Sequence, residues 1–345
     1  MSMIPESAPQ QQFSASDEAW RLALAQSFRH RSELLEFCEL QNELPVFAED
    51  SAFPTRVTRH YASLIEKGNP QDPLLLQVLN DRREHEQVAG YTQDAVGDLK
   101  AMVAPGLLHK YDTRVLLTLT AACPIHCRYC FRRHFPYSDA AVDISAGGAI
   151  MQYLQANPQI NEVILSGGDP LMWSDQKLTA LIEALNPISH IKTLRIHSRL
   201  LSVLPQRIND DFIRLWQNFR GHVVFITHIN HPNEIAPANH AAFRQLAQHG
   251  YRLFNQSVLL KGINDSPETL SELSCQLFDS GITPYYLHAL DKVQGAAHFD
   301  LSMQQQCRIY KQLKRRLPGY LLPLLVNELT GQSSKTPVQC NENGL

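Results

Sequence analysis

The rhythm of hydrophobic and polar positions changes once along the chain. Between about residue 17 and residue 110, apolar residues recur at helical spacing. Ala19, Trp20 and Leu22 follow the capping-type sequence Ser16-Asp17-Glu18, and Leu34, Leu35 and Phe37 continue the same period. The stretch from Pro70 to Pro73 reads as a connection between helices. After Tyr111 the pattern becomes short β-branched and apolar runs at 114–120, 162–166, 193–197, 222–228, 252–260 and 284–290, separated by amphipathic stretches of helix length. After the first run the starts fall about 30 residues apart, the length of one βα unit. Six such units predict a partial parallel (β/α)6 barrel behind a helical N-terminal segment, with its chemistry at the C-terminal ends of the strands. The expected organisation is a disordered arm over 1–16, a helical accessory region over 17–110, the barrel over 111–330 and a C-terminal segment over 331–345.

Charge narrows the set of partners. Lys and Arg number 31 against 34 Asp and Glu, a net charge of -3, so no global positive field is available to hold nucleic acid. A small substrate fits better. The first sixteen residues lack the basic end and apolar run of a secretory signal, and no later stretch is long enough to span a bilayer. A cytoplasmic protein without membrane contact is expected.

Seven cysteines, an odd number without an export signal, favour thiolate chemistry or burial over a disulfide framework. Cys38, Cys275 and Cys307 read as small buried apolar residues, and Cys340 is ambiguous. The other three stand together as Cys123, Cys127 and Cys130, a C-x3-C-x2-C spacing tight enough for one loop to wrap one cluster. Three thiolates hold three irons of a [4Fe-4S] cubane, and the fourth iron stays open to chelate S-adenosylmethionine through its amino and carboxylate groups. A zinc site that takes His126 or His134 as fourth ligand is the alternative. Gly167-Gly168-Asp169-Pro170 ends the second run, where glycine lets a ligand approach the backbone closely, although the same four residues also make an ordinary turn. Lys335 lies among small hydroxyl residues in Ser333-Ser334-Lys335-Thr336-Pro337. Such a lysine forms a Schiff base with pyridoxal 5'-phosphate where its site lowers its pKa, and is otherwise a solvated charge.

The cysteine spacing resembles the defining motif of the radical S-adenosylmethionine superfamily. The wider set of motifs resembles the lysine 2,3-aminomutase family within it, in the branch that supplies (R)-β-lysine for modification of translation elongation factor P. The resemblance runs from about Arg114 to Pro337. It is carried by Arg114, the residues at 127–135, Ser-Gly-Gly-Asp-Pro-Leu at 166–171, His-Ile-Asn-His-Pro-Asn-Glu at 228–234, Asn-Gln-Ser-Val-Leu-Leu at 255–260 and Lys-Thr-Pro at 335–337.

The resemblance implies roles for single residues. Lys335 carries pyridoxal phosphate and Arg114 contacts its phosphate. Gly167, Gly168, Asp169, His228 and Gln256 contact S-adenosylmethionine. Arg132 grips the substrate carboxylate, a bidentate task suited to a planar guanidinium. Asp291 and Glu328 receive the ε-ammonium of L-lysine, and two anions there favour lysine over glutamate. Taken alone, each arginine reads as an ion pair and each acid as a solvated charge. The implied reaction is radical migration of the α-amino group of lysine to Cβ. Its implied partners are an electron donor such as flavodoxin or ferredoxin, and elongation factor P with its lysyl ligase. An aminomutase for another amino acid and a non-catalytic metal-binding accessory protein are the alternatives.

Two departures from the family pattern stand out. A run of glycines is replaced by Thr330-Gly331-Gln332-Ser333-Ser334, where hydroxyls substitute for backbone amides as phosphate donors. The sequence also ends at Leu345 without the longer cysteine-bearing tail of larger members, so a small homo-oligomer is expected.

Overall fold

The computed structural model describes residues 15–44, 53–139, 142–145 and 147–340. The arm expected over 1–16 lies outside them except for Ala15 and Ser16, which open the helix Ala15–Ala25.

Ten strands form one sheet, hydrogen-bonded in chain order: β1 (Met102–Ala104), β2 (Leu107–Tyr111), β3 (Arg114–Thr118), β4 (Glu162–Ser166), β5 (Thr193–Ser198), β6 (His222–Thr227), β7 (Arg252–Val258), β8 (Ile282–His288), β9 (Leu324–Asn327) and β10 (Thr336–Pro337). From β3 to β9 every pairing is parallel, with helices between successive strands. The six apolar runs are β3 to β8. Side-chain hydroxyls or amides of Ser174, Asn209, Ser266 and Ser302 cap the helices Asp175–Leu185, Asp210–Trp216, Pro267–Asp279 and Met303–Arg316 by accepting from a backbone N–H of the first turn. Leu178, Leu181, Leu185, Phe212, Phe243 and Leu277 from these and neighbouring helices pack with Val163, Leu165, Leu194, Ile196 and Phe225 of the sheet.

The structure departs from the sequence reading in three places. Residues 102–111, expected to close the helical segment, form the antiparallel pair β1 and β2. Pro105-Gly106 turns the chain between them, with Gly106 at φ 73, the third position of a type II turn. The parallel sheet also gains a seventh strand, β9, and β10 returns antiparallel beside it. Thirdly, the isolated cysteines are not all buried thiols. Cys307 and Cys340 are joined by a disulfide with Cα atoms 5.3 Å apart, which an odd total does not forbid. Cys275 is exposed because Leu273, Ser274 and Leu277 take the inward positions of its helix.

The N-terminal segment braces the cysteine loop. Leu34, Leu35, Tyr61, Leu74 and Leu75 pack with Ile125, and the backbone N–H groups of His126 and Arg128 donate to Arg56 O (2.9 Å) and Gln77 O (2.9 Å). No helix among the described residues is long and apolar enough to cross a membrane.

Candidate active site

One cavity of about 540 Å³ runs along the inner face of the sheet, from the C-terminal ends of the parallel strands to the starts of β3 and β4, and brings together nearly every residue singled out in the sequence. Cys123, Cys127, Cys130, Arg114, Arg132, Gly167, Gly168, Asp169, His228, Gln256, Asp291, Glu328 and Lys335 all line it. They come from six different strands or strand-end loops and from the C-terminal segment, so only the curvature of the sheet makes them neighbours.

The cysteine loop is fixed from below by the glycine pair. Gly168 N–H donates to Thr120 O (2.6 Å) and Asp169 N–H to Ala122 O (2.9 Å). A Cβ on Gly168 would lie 2.5 Å from Ala122 O, and Gly167 has φ +121. The glycines are therefore required by the chain leading into Cys123. Asp169 is likewise committed to the protein. Its carboxylate accepts from Leu171 N–H (3.0 Å), Ser198 Oγ (2.9 Å), Arg199 N–H (2.8 Å) and Leu200 N–H (2.8 Å), so its contribution is to hold the loop. Burial pushes its pKa up to about 6 against these donors.

The three thiols fit a cluster better than a zinc ion. His126 stacks on Phe53 and bonds Pro54 O through Nδ1 (2.8 Å), and His134 bonds Gln294 O through Nε2 (3.1 Å), so both imidazoles are engaged away from the thiols. Among the described residues no three His, Cys, Asp or Glu side chains gather around one point. A cubane does not need this, because each thiolate takes a different iron. Burial raises the thiol pKa of all three, which a bound cation reverses.

Above the thiols the wall carries buried polar atoms with no protein partner: Gln256 Nε2, His197 Nε2 and His288 Nε2. His197 and His288 escaped the sequence reading, although each lies on an inward-facing strand position with the alternation that marks such sites. Burial holds His228 down to about 3 and keeps His197 and His288 neutral as well, so the three imidazoles offer hydrogen bonds without charge. Orphaned donors and acceptors of this kind fit a polar cofactor seated between the cysteines and the strands.

Cations and anions alternate across the far side. Arg132 donates through Nε to Asp98 (2.6 Å) and through Nη1 to Ser166 Oγ (2.8 Å), two of the five donors of a guanidinium. Lys110 shares the same Asp98 (2.6 Å). Arg114 lies over the Tyr111 ring at 4.2 Å, and Arg195 pairs with Glu162 at 2.7 Å. Lys335 Nζ sits 2.7 Å from Glu328, whose other oxygen accepts from Tyr111 (2.5 Å). Lys335 and Tyr111 hold Glu328 below the usual carboxylate range against the opposing effect of burial. Asp291 is half-buried without a direct cation, and desolvation raises it to about 7 although Lys335 pulls the other way. Asp98 and Lys110 precede the expected barrel, in the stretch expected to be helical, and Tyr111 stands at its first position, so no motif marked them.

A sheet of parallel strands with a three-cysteine loop after its first parallel strand, glycines beneath that loop and orphaned donors above it defines a radical S-adenosylmethionine enzyme, and residues 117–273 match the Radical SAM superfamily model. Within that class the relatives are specific. The chain is 43% identical to the L-lysine 2,3-aminomutase of Escherichia coli (strain K12) over 94% of its own length and 95% of that protein. It is 43% identical to the enzyme of the same name from Haemophilus influenzae, over 95% and 98%, and 35% identical to that of Clostridium subterminale, over 91% and 77%. The chain belongs to the L-lysine 2,3-aminomutase family. A [4Fe-4S] cluster, S-adenosylmethionine and pyridoxal 5'-phosphate are the cofactors that membership implies.

Proposed function

We propose that this chain isomerises L-lysine to β-lysine by moving the α-amino group to Cβ. The observation that carries the substrate is the position of the Lys335 ammonium. An alkylammonium already rests against Glu328 in the cavity that also holds Asp291, so the acid pair is shaped for the kind of group that ends a lysine side chain. When bound, the cluster and S-adenosylmethionine supply a carbon radical that abstracts hydrogen, and pyridoxal phosphate supplies the group that carries nitrogen between carbons.

The protein's own residues define where this happens. Cys123, Cys127 and Cys130 bind the cluster. His228 and Gln256 face S-adenosylmethionine from β6 and β7, while Gly167, Gly168 and Asp169 fix the loop below it. Lys335 is the attachment point for pyridoxal phosphate, and Arg114 lies near its phosphate. Lys335 would hold pyridoxal phosphate and so turn away from Glu328, which together with Asp291 would receive the substrate ε-ammonium. Arg132, aligned by Asp98 and Ser166, takes the carboxylate at the opposite end. Holding both ends fixes the carbon chain between them, and the cavity wall keeps other C–H hydrogen donors and oxygen away from the radical. In this reading residues 111–330 carry the radical chemistry, 331–345 deliver Lys335, and 17–110 support the cysteine loop.

We further propose that the product is (R)-β-lysine for modification of elongation factor P, with a flavodoxin- or ferredoxin-type donor reducing the cluster in the cytoplasm of the cell, and that the protein forms a small homo-oligomer. Anaerobic incubation of the reconstituted protein with L-lysine, S-adenosylmethionine and dithionite, followed by chiral amino-acid analysis, tests the reaction. β-Lysine is expected. Its absence from protein with intact cluster and bound pyridoxal phosphate rejects the substrate assignment, and comparison with arginine, ornithine and glutamate shows which amino acid replaces it.

A further inference from the structure

Glu328 carries a flexible side chain, and its two oxygens face different partners. Oε2 lies 2.7 Å from Lys335 Nζ, and Oε1 accepts from the Tyr111 hydroxyl at 2.5 Å. Tyr111 is stiff where Glu328 is not. It ends β2 at the Asp112-Thr113 turn, paired with Arg114 across the hairpin, and the Arg114 guanidinium rests over its ring at 4.2 Å. The residue before it, Lys110, ties β2 to the loop that precedes β1 through Val96 O (2.8 Å) and Asp98 (2.6 Å). That loop packs on the chain beyond Glu328, where a Cβ on Gly97 would lie 2.8 Å from Thr330 Cγ2. The two ends of the sheet therefore meet at Glu328, and a phenol 217 residues away in sequence holds it.

Lys335 marks where an ammonium sits. Its Nζ is flanked by Glu328 Oε2 and by the Tyr286 ring, 5.7 Å to the centroid. When Lys335 holds pyridoxal phosphate that place is open, and Tyr111 still holds Oε1, so Oε2 keeps its aim. The same contacts reach the other end of the substrate. Asp98, which pairs with Lys110, also accepts from Arg132 Nε at 2.6 Å, and Ser166 takes a second donor of that guanidinium at 2.8 Å. One continuous chain, from Arg132 through Asp98 to Lys110 and its neighbour Tyr111 and on to Glu328, thus sets the separation of the two charges.

We propose that Tyr111 is a positioning residue that fixes the free oxygen of Glu328 at one distance from Arg132, and so makes the site select amino acids by length, lysine in preference to the shorter ornithine. The inference rests on the reading of Arg132 and Glu328 as receivers of the two ends of the substrate. An ammonium that stops short of a fixed carboxylate is left desolvated without its partner, a larger penalty than one lost apolar contact. A glutamate free to swing would follow the shorter ligand and pair with it nearly as well. Tyr111 acts only through Glu328: it touches neither the substrate nor the reacting atoms.

The experiment uses protein reconstituted with cluster and pyridoxal phosphate. Lysine and ornithine binding is measured by calorimetry without S-adenosylmethionine, and KM and kcat are then measured with it. Tyr111→Phe keeps the ring beneath Arg114 and removes the proton. Kd and KM for lysine should rise about tenfold, as for loss of one hydrogen bond to a charged group, with kcat little changed. Ornithine binding should change little, so the preference for lysine falls by nearly the same factor. In a Glu328→Gln background the same substitution should add little, because its effect passes through the carboxylate, whereas a residue that only supports the fold would cost as much in both. Parental lysine affinity in Tyr111→Phe, equal losses for lysine and ornithine, or equal losses in the two backgrounds overturn the proposal. Lysine affinity that Glu328→Gln alone leaves unchanged overturns the reading of Glu328 itself, a failure distinct from these.

Discussion

At the scale of single residues the site is organised by competition for charge. Glu328 is shared by Lys335 and Tyr111, whereas Asp291 stands half-buried in the same cavity without a direct cation. Glu328→Gln removes the anion and retains the shape. A charge-assisted hydrogen bond is worth about 1.5–3 kcal/mol, so the KM for lysine should rise about 10- to 100-fold, with a smaller change in kcat measured by steady-state product formation. Asp291 adds a pH dependence with a definite sign. Its pKa is raised to about 7, and only the ionised form attracts an ammonium. As pH falls through about 7 the carboxylate takes a proton before lysine binds, so KM should climb toward acid and level off above about pH 8. An Asp291→Asn variant should show a high KM with no such slope, and a parental KM flat between pH 6 and 8 would rule out this role.

At the scale of elements, the glycine turn after β4 supports the cysteine loop after β3. Gly168→Ala forces a methyl to 2.5 Å from Ala122 O. Overpacking of this kind costs about 1–3 kcal/mol, and the strain is released most easily by lifting the residues before Cys123. The expected result is lower iron and sulfide content after reconstitution, by half or more, with far-ultraviolet circular dichroism unchanged. Much of this architecture was legible in advance. The six apolar runs have the spacing of βα units, and each became a strand because its inward and outward sides are both covered, which selects β-branched and aliphatic residues. β9 escaped notice because Leu324–Asn327 is only four residues long, and its neighbours Leu321 and Leu322 blur the run. β1 and β2 escaped because their half-buried residues carry a weak alternation, although Pro105-Gly106 was a readable turn. The same limit applies to the site. Cysteine and glycine spacing is local and could be read directly, whereas the contacts of Asp98 with Arg132 and Tyr111 with Glu328 span 34 and 217 residues, and only the folded, curved sheet creates them.

At the scale of the whole molecule, the N-terminal segment, the barrel and the C-terminal strap meet at one cavity. The strap is held by two devices: the short pairing of β10 with β9, and the Cys307–Cys340 bridge, 33 residues apart in sequence. Closing a loop of that length lowers the entropy of the unfolded chain, an effect of about 3–4 kcal/mol. Cys340→Ser should lower the thermal midpoint under non-reducing conditions and speed proteolysis of the strap after Lys335. Both differences should vanish when parental protein is treated with a thiol, as followed by calorimetry and mass spectrometry of the fragments. The bridge also turns residues 307–340 into a covalent ring through which Glu328 and Lys335 are carried as fixed beads. Lys335 and Glu328, proposed to anchor pyridoxal phosphate and to receive the substrate, then share one closed circuit of backbone, while the cluster implied beside them needs electrons. A thiol supplied to protect that cluster would cut the ring, so protein handled in air and protein handled under reductant differ in chain topology at the mouth of the cavity.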